Sequence, residues 1–256
     1  MRQDEREPFV RALQPAREAA YEPGEYVGQE SFMRACEVRE LGERAGLAPG
    51  LSVLDLCCGV AGPGRYLTQE HGCSYLGVDS SASAIDIARS RAGDLPCRFE
   101  VAHIPPIPSG TFDAVLLLET MLYFRDKEEL VAEVAAALTV GGRFAFTLEE
   151  GLPLTAPERS RMPDEDTVWL VPLDEMKAVL ARNGLIVRWQ EDWSRSHLAV
   201  AESLTAAFAA DAAEIAAMVG RGALDELLAA HRLWSDWLAT GRVRKFALVA
   251  ERLGGD

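Results

Sequence analysis

The sequence predicts an α/β fold: a doubly wound, mostly parallel sheet of seven strands with a helical cap inserted before the last strand. Three observations predict it. From residue 51 onward, short apolar runs alternate with helical patterns. Gly- and Pro-containing turns separate them, and two long Ala- and Leu-rich patterns precede the final strand. Strands spaced by helices in this way give a parallel sheet with right-handed crossovers. The 256 residues, 48% hydrophobic and 26% charged, suit one large globular domain with an attached cap.

Taken in order, residues 1–50 read as helical and polar, with a break at "YEPGEYVGQE" and a helix from Ser31 to Ala45 that "GLAPG" stops. "LSVLDLC" is an apolar run fit for a buried parallel strand, and "GPGRYLTQEHG" follows as a helix with Pro63 in its first turn. "SYLGVDSS" is the second strand, and Ser80 or Ser81 can cap the helix "ASAIDIARSRAG". "CRFEVA" and "FDAVLLLE" are the third and fourth strands. "DKEELVAEVAAAL" is an amphipathic helix that leads through "VGG" into a fifth strand, "RFAFTLEE".

"GLPLTAPERSRMPDEDTVW" is Pro-rich, polar and long for a connection, which makes it a candidate lid. The helix "PLDEMKAVLARNG" and the strand "LIVRWQEDW" come next. The cap is a helical stretch from His197 to Val219, with Leu204, Phe208, Ile215 and Val219 in one stripe. "GRG" breaks it before a second helix with Leu224, Leu227, Leu228, His231, Trp234 and Leu238 on one side. "RVRKFALVAERL" is the closing strand.

Charge and composition exclude several classes. The formal net charge of -14 repels a phosphate backbone, so a nucleic-acid partner is not expected. The N-terminus lacks the apolar core of a secretory signal, and no run of about 18 apolar residues could span a bilayer. The five cysteines (36, 57, 58, 73 and 97) lack metal-ligand spacing and read as reduced thiols of a cytoplasmic protein. No His/Asp/Glu ligand cluster is visible, so no metal is expected.

The chemistry concentrates in "VLDLCCGVAGPG", residues 53–64. A dinucleotide loop needs G-x-G-x-x-G directly after the first strand, but Gly59, Gly62 and Gly64 give G-x-x-G-x-G. Asp55, in the approach to the turn, would repel a pyrophosphate and suits a ligand with positive charge. Asp79, at the end of the second strand, is placed to accept bonds from both hydroxyls of a ribose.

Asp55, Cys57, Gly59 and Ala61 resemble the D/E-x-G-x-G-x-G motif of the class I S-adenosylmethionine-dependent methyltransferases. Cys replaces the first glycine and Ala the third. Both are small, though positive φ is less comfortable for them than for glycine. The resemblance covers residues 30 to 192 and the final strand, and it implies a Rossmann-like sheet and S-adenosylmethionine as cofactor, with S-adenosylhomocysteine as product. It implies cofactor contacts at Asp55, Cys57, Gly59, Asp79 and Ser80. The family's acid after strand three has no match, and Ala102 and His103 stand in that place. Tyr26 and Gln29 lie in a segment that folds over the cofactor in related small-molecule enzymes, with Gln29 against the methionine part and Arg34 near its carboxylate.

The fourth strand ends in Glu119-Thr120-Met121-Leu122, without the Asn/Asp-Pro-Pro-aromatic tetrad used on nucleobase or glutamine amines. The pattern is more similar to small-molecule methyltransferases, including those for sarcosine and dimethylglycine and those of natural-product pathways. Glu119 is the first candidate for an active-site role, as base or cofactor contact. His197, opening the cap helix, is a candidate base at the pocket mouth, with Tyr123 and Glu150 behind it. Trp193, Trp234 and Trp237 are spaced to form a pocket wall.

The expected organisation is an N-terminal segment over the cofactor (1–50), an α/β core (51–196), a helical cap (197–240) and the final strand (241–256). The expected function is methyl transfer to carbon, nitrogen or oxygen of a small-molecule acceptor. The alternatives are a non-catalytic S-adenosylmethionine-binding sensor and a nicotinamide-dependent oxidoreductase, which the glycine spacing and Asp55 oppose.

Overall fold

The computed structural model describes residues 6–162 and 167–254; expectations for residues 1–5, 163–166 (within the lid stretch) and 255–256 lie outside the described residues. The seven strands are β1 (Ser52–Leu56), β2 (Ser74–Asp79), β3 (Cys97–Val101), β4 (Phe112–Leu117), β5 (Leu138–Glu150), β6 (Leu185–Asp192) and β7 (Arg244–Arg252). They form one sheet in the order β3-β2-β1-β4-β5-β7-β6. β1 to β5 pair in parallel and β7 runs antiparallel to both β5 and β6, so six strands point one way and β7 the other.

Alternate residues of the central strands feed two cores, as the pleat requires. On one face Leu54, Leu56, Val115, Leu117 and Phe146 pack with α5 (Lys127–Ala137) and α7 (Leu173–Arg182) through Val131, Val134, Met176 and Leu180. On the other, Val53, Tyr75, Leu116 and Ala145 pack with α2 (Ala35–Arg44), α3 (Gly62–His71) and α4 (Ala82–Arg91) through Val38, Leu41, Leu67 and Ile85.

The cap consists of α8 (Ser194–Ala210), α9 (Ala212–Val219) and α10 (Arg221–Thr240), inserted between β6 and β7. The N-terminal helix α1 (Arg6–Ala20) packs into it: Leu13, Ala16 and Tyr21 share a core with Val200, Leu204, Phe208, Ile215, Leu224 and Leu228.

Three local expectations shift. Residues 31–34 remain in a loop, and α2 starts at Ala35, because the Arg34 backbone N–H donates to Glu37 Oε2 at 2.9 Å and caps the helix there. The stretch expected from His197 begins at Ser194 and breaks at Asp211. On α10 the buried residues are Leu224, Leu228, Leu233, Trp237 and Leu238, with Trp234 only half-buried.

The connection after β5 is pinned in its described part. Leu154, Val168 and Leu170 are buried against Leu233, Trp237 and Val243. Glu158, in the short helix α6 (Ala156–Arg159), pairs with Arg242 at 2.5 Å.

Candidate functional site

The strand order reverses between β1 and β4, and such a reversal opens a crevice at the carboxyl ends of the strands. A cavity of about 540 Å³ lies there. Cys57 to Pro63 after β1, Asp79 and Ser80 at the end of β2, and Ala102 and His103 after β3 line it. Leu118, Glu119, Thr120 and Tyr123 after β4, Gly28 to Ser31 of the N-terminal segment and Asp55 of β1 add to the wall.

Three non-glycine residues have left-handed backbone among the described residues: Cys57 (φ 58°), Ala61 (φ 57°) and Glu119 (φ 62°). All three line this cavity. Left-handed backbone costs an L-residue about 1–2 kcal/mol, so the strain is gathered at one site. Cys57 and Ala61 occupy the motif's glycine places and keep its turn without glycine's freedom. Gly62 does need to be glycine: a Cβ there would lie 2.4 Å from the Gly28 carbonyl, where the N-terminal segment closes over the loop.

Asp55 is buried and accepts from the Tyr75 hydroxyl at 2.5 Å. Burial, reinforced by Asp79 and opposed by Tyr75, pushes its carboxyl up to about 7. The repulsion of a pyrophosphate expected from Asp55 is therefore weaker near neutral pH than an ordinary carboxylate would give. Asp79 stays half-buried at the strand tip. Its Oδ2 accepts from the Gly59 N–H at 2.9 Å and its Oδ1 from the Ser81 N–H at 2.8 Å. Asp79 therefore ties the first loop to α4, and each oxygen retains a second lone pair. Ser81, not Ser80, caps α4, which leaves Ser80 on the cavity wall. The acids on this wall are Glu30, Asp55, Asp79 and Glu119, and among the described residues no Lys or Arg lines it.

A second chamber of about 240 Å³ shares Glu30, Ser31, Glu119 and Tyr123 with the first. Phe32, Leu122, Trp234, Leu238 and Val243 supply its apolar wall. Its polar end is a buried group. Lys245 Nζ lies 2.5 Å from Glu119 Oε1 and donates to Glu149 Oε1. The register of β5 on β7 makes this pair, setting Glu149 opposite Lys245. One step along, Glu150 faces Arg244 and pairs with it at 2.9 Å near the surface. The acid reaching the chamber is thus Glu149, not Glu150, because adjacent strand residues point to opposite faces. Burial works against the charge on Lys245, but Glu119 and Glu149 outweigh it and its pKa rises. Burial, reinforced by Glu119, pushes Glu149 up against the pull of Lys245.

His197 is not at the mouth. It is 1% exposed, stacked on Trp193 with ring centroids 6.2 Å apart. Burial, with Lys245 adding, lowers its pKa to about 3 and keeps the ring neutral. Nδ1 lies 3.8 Å from Glu119 Oε2 and Nε2 3.7 Å from Glu37 Oε2, both too long for hydrogen bonds. Both ring nitrogens and Glu149 Oε2 are buried with no hydrogen-bond partner.

Two N-terminal candidates are committed elsewhere. Tyr26 lies against Tyr21 in the cap core, with ring centroids 5.5 Å apart and planes tilted by 40°, and lines neither chamber. Gln29 lines the larger cavity, but its Oε1 accepts from the Val27 N–H and its Nε2 donates to the Glu25 and Met33 carbonyls. Its amide holds the loop that passes over the cavity. Arg34 pairs with Glu37 at 3.0 Å. Of the three tryptophans expected at a pocket wall, Trp234 reaches the chamber, while Trp193 and Trp237 are packed beside it.

Sequence reasoning missed Lys245, Glu149 and Tyr75. A lysine heading the apolar run "FALVA" was the available signal for the first. Among the described residues, no group of three or more His, Cys, Asp or Glu is placed to hold a metal ion. None of their helices is long and apolar enough to cross a membrane.

Residues 53–142 match the family described as "Methyltransferase domain". The chain is 31% identical over 113 residues to "Methyltransferase GfsG" of Streptomyces halstedii, covering 42% of this chain and 41% of that protein. It is 33% identical over 109 residues to "Phosphoethanolamine N-methyltransferase 1" of Arabidopsis thaliana, covering 41% of this chain and 22% of that protein. The chain thus spans less than half the length of each of these relatives. The cyclopropane synthase MmaA2 of Mycobacterium tuberculosis shares the fold over nearly all of both chains: TM-score 0.82, 14% identity, coverage 98% and 95%.

Proposed function

We propose, on the premise that this chain is built on a class I S-adenosylmethionine-dependent methyltransferase domain, that it methylates a small-molecule acceptor held in the second chamber. The observation that carries this reading is the meeting of two chambers at Glu119 and Tyr123, at the tip of β4. The larger has acids and no lysine or arginine on its described wall, which suits a sulfonium and an ammonium and opposes a pyrophosphate. Its volume is in the range of ordinary cofactor sites.

When bound, the cofactor supplies an electrophilic methyl: an acceptor electron pair bonds to it as the carbon–sulfur bond breaks and sulfur keeps its pair, giving S-adenosylhomocysteine. The chain's own residues position and enclose. Asp79 and Ser80 would hold the ribose hydroxyls, Ala102 and His103 would border the adenine, and the loop through Cys57, Gly59 and Ala61 would cradle the cofactor, with Asp55 held by Tyr75 in the approach to that loop. Glu119, fixed by Lys245 and by its backbone N–H donating to Thr147 Oγ1 at 2.6 Å, faces both chambers. The cap and the N-terminal segment exclude water from the acceptor.

A small acceptor agrees with the size of the second chamber, and a net charge of -14 opposes nucleic acid. Five free cysteines suit a cytoplasmic enzyme. Titration calorimetry tests the cofactor: heat is expected with S-adenosylhomocysteine and none with NAD, and the opposite pattern refutes the reading. Transfer of labelled methyl to any small molecule would then separate an enzyme from a non-catalytic binding protein.

A further inference from the structure

The second chamber has more hydrogen-bond acceptors than donors. Glu119 and Glu149 share one cation, Lys245, so the ionised group carries one negative charge in excess. The neighbouring charges are already matched: Glu37 by Arg34, and Glu30 by Arg17 at 3.0 Å. His197 is neutral and adds none. One carboxylate oxygen, Glu149 Oε2, and both nitrogens of His197 have no partner although their residues are more than nine-tenths buried and line the chamber. Buried polar atoms are satisfied in most proteins, so these three mark where a ligand's polar group belongs.

Resting on the methyltransferase reading, we propose that the acceptor is an amine: an ammonium head donating to Glu149 Oε2 and to a His197 nitrogen, on an apolar body lying against Phe32, Leu122 and Trp234. A cation supplies the missing charge and its N–H groups supply the missing donors. Phe32, Tyr123 and Trp234 line the same chamber, and aromatic rings attract such a charge. An anionic acceptor has no place here. Lys245 is held by two carboxylates, and among the described residues no other Lys or Arg lines the chamber. That separates this chain from the phosphate-bearing acceptor in the name of its Arabidopsis relative.

Methyl transfer needs the amine's free electron pair, so one ammonium proton must leave first; the Glu149 carboxylate at the head is the group that would take it, leaving a neutral amine and a neutral carboxyl.

The test uses the full chain saturated with S-adenosylhomocysteine and calorimetry on matched probes: hexylamine and hexanol, 2-phenylethylamine and 2-phenylethanol, tryptamine and tryptophol, with 3-phenylpropionate as the anion. At least one amine is expected to bind more than ~10-fold tighter than its alcohol, and the carboxylate not to bind. Glu149→Gln should reduce that preference while S-adenosylhomocysteine affinity holds. Equal binding of amine and alcohol, binding of the carboxylate, silence of every amine, or an unchanged preference in Glu149→Gln would each overturn the proposal. The comparison of probes on the unaltered chain stands even where Glu149→Gln does not fold. Failure of S-adenosylhomocysteine itself to bind is a separate outcome that refutes the methyltransferase premise.

Discussion

The larger cavity is built mainly from successive strand-end turns, and the smaller chamber from side chains in distant parts of the chain. The first takes most of its wall from turns at the ends of β1 to β4, each within a few residues of its strand, and is closed by Gly28 to Ser31 of the N-terminal segment. The second depends on Lys245 meeting Glu149, 96 residues earlier, and on two cap helices folding over the pair. The first can be read along the chain. The second exists only once the sheet has closed.

The sharpest way to break this contrast is Lys245→Met. It leaves Glu119 and Glu149 buried without a cation, and losing one partner of such a group costs about 3–5 kcal/mol. Chemical denaturation should show that loss, and adding Glu149→Gln should recover part of it. The cofactor cavity should then still bind S-adenosylhomocysteine. If binding is lost in the doubly substituted chain, the two chambers are not separable.

Asp55 gives the next effect, through pH. Its folded pKa of about 7 stands above the ordinary value of 3.8, so the folded state holds this proton more tightly. Its contribution is complete below pH ~4 and lost as pH rises through ~7. In Asp55→Asn, which keeps an acceptor for Tyr75, the fall in Tm across that window should flatten. An unchanged profile would mean that the Asp55 carboxyl is not shifted.

Asp79→Ala should weaken S-adenosylhomocysteine more than ~10-fold, about 1.4 kcal/mol, while circular dichroism shows the sheet intact. An unchanged dissociation constant would remove Asp79 from the cofactor's partners. The smallest effect is expected at Ala61→Gly. Glycine relieves the left-handed strain but gains freedom in the unfolded chain, and the two nearly cancel within about 1 kcal/mol. For a chain of this size that is a Tm change of about 2–4 °C or less.

The sheet was legible because each parallel strand is an apolar run closed by a turn residue. That Asp55, Gly59, Asp79, Ser80, Ala102 and His103 would lie together at one cavity was legible because strand ends are legible. Glu119 was found by the same rule. Glu149 was missed for Glu150 because "LEE" does not say which acid faces inward; the antiparallel register to β7 decides that. His197 was found by residue type and misplaced in depth, since nothing local records that Trp193 and Phe32 would enclose it. Gln29 lines the cavity, but nothing local records that three backbone groups of its own loop use its amide.

The left-handed residues around the larger cavity also limit how the chain can vary. A β-branched side chain at 57, 61 or 119 would clash with its own backbone, whereas glycine and asparagine would not. A library randomised at those three positions and selected for folding should return a short alphabet, with valine, isoleucine and threonine missing. The neighbouring positions 58 and 60 should be filtered by size instead. Part of the pocket's geometry is thereby recorded as a list of residues that it refuses.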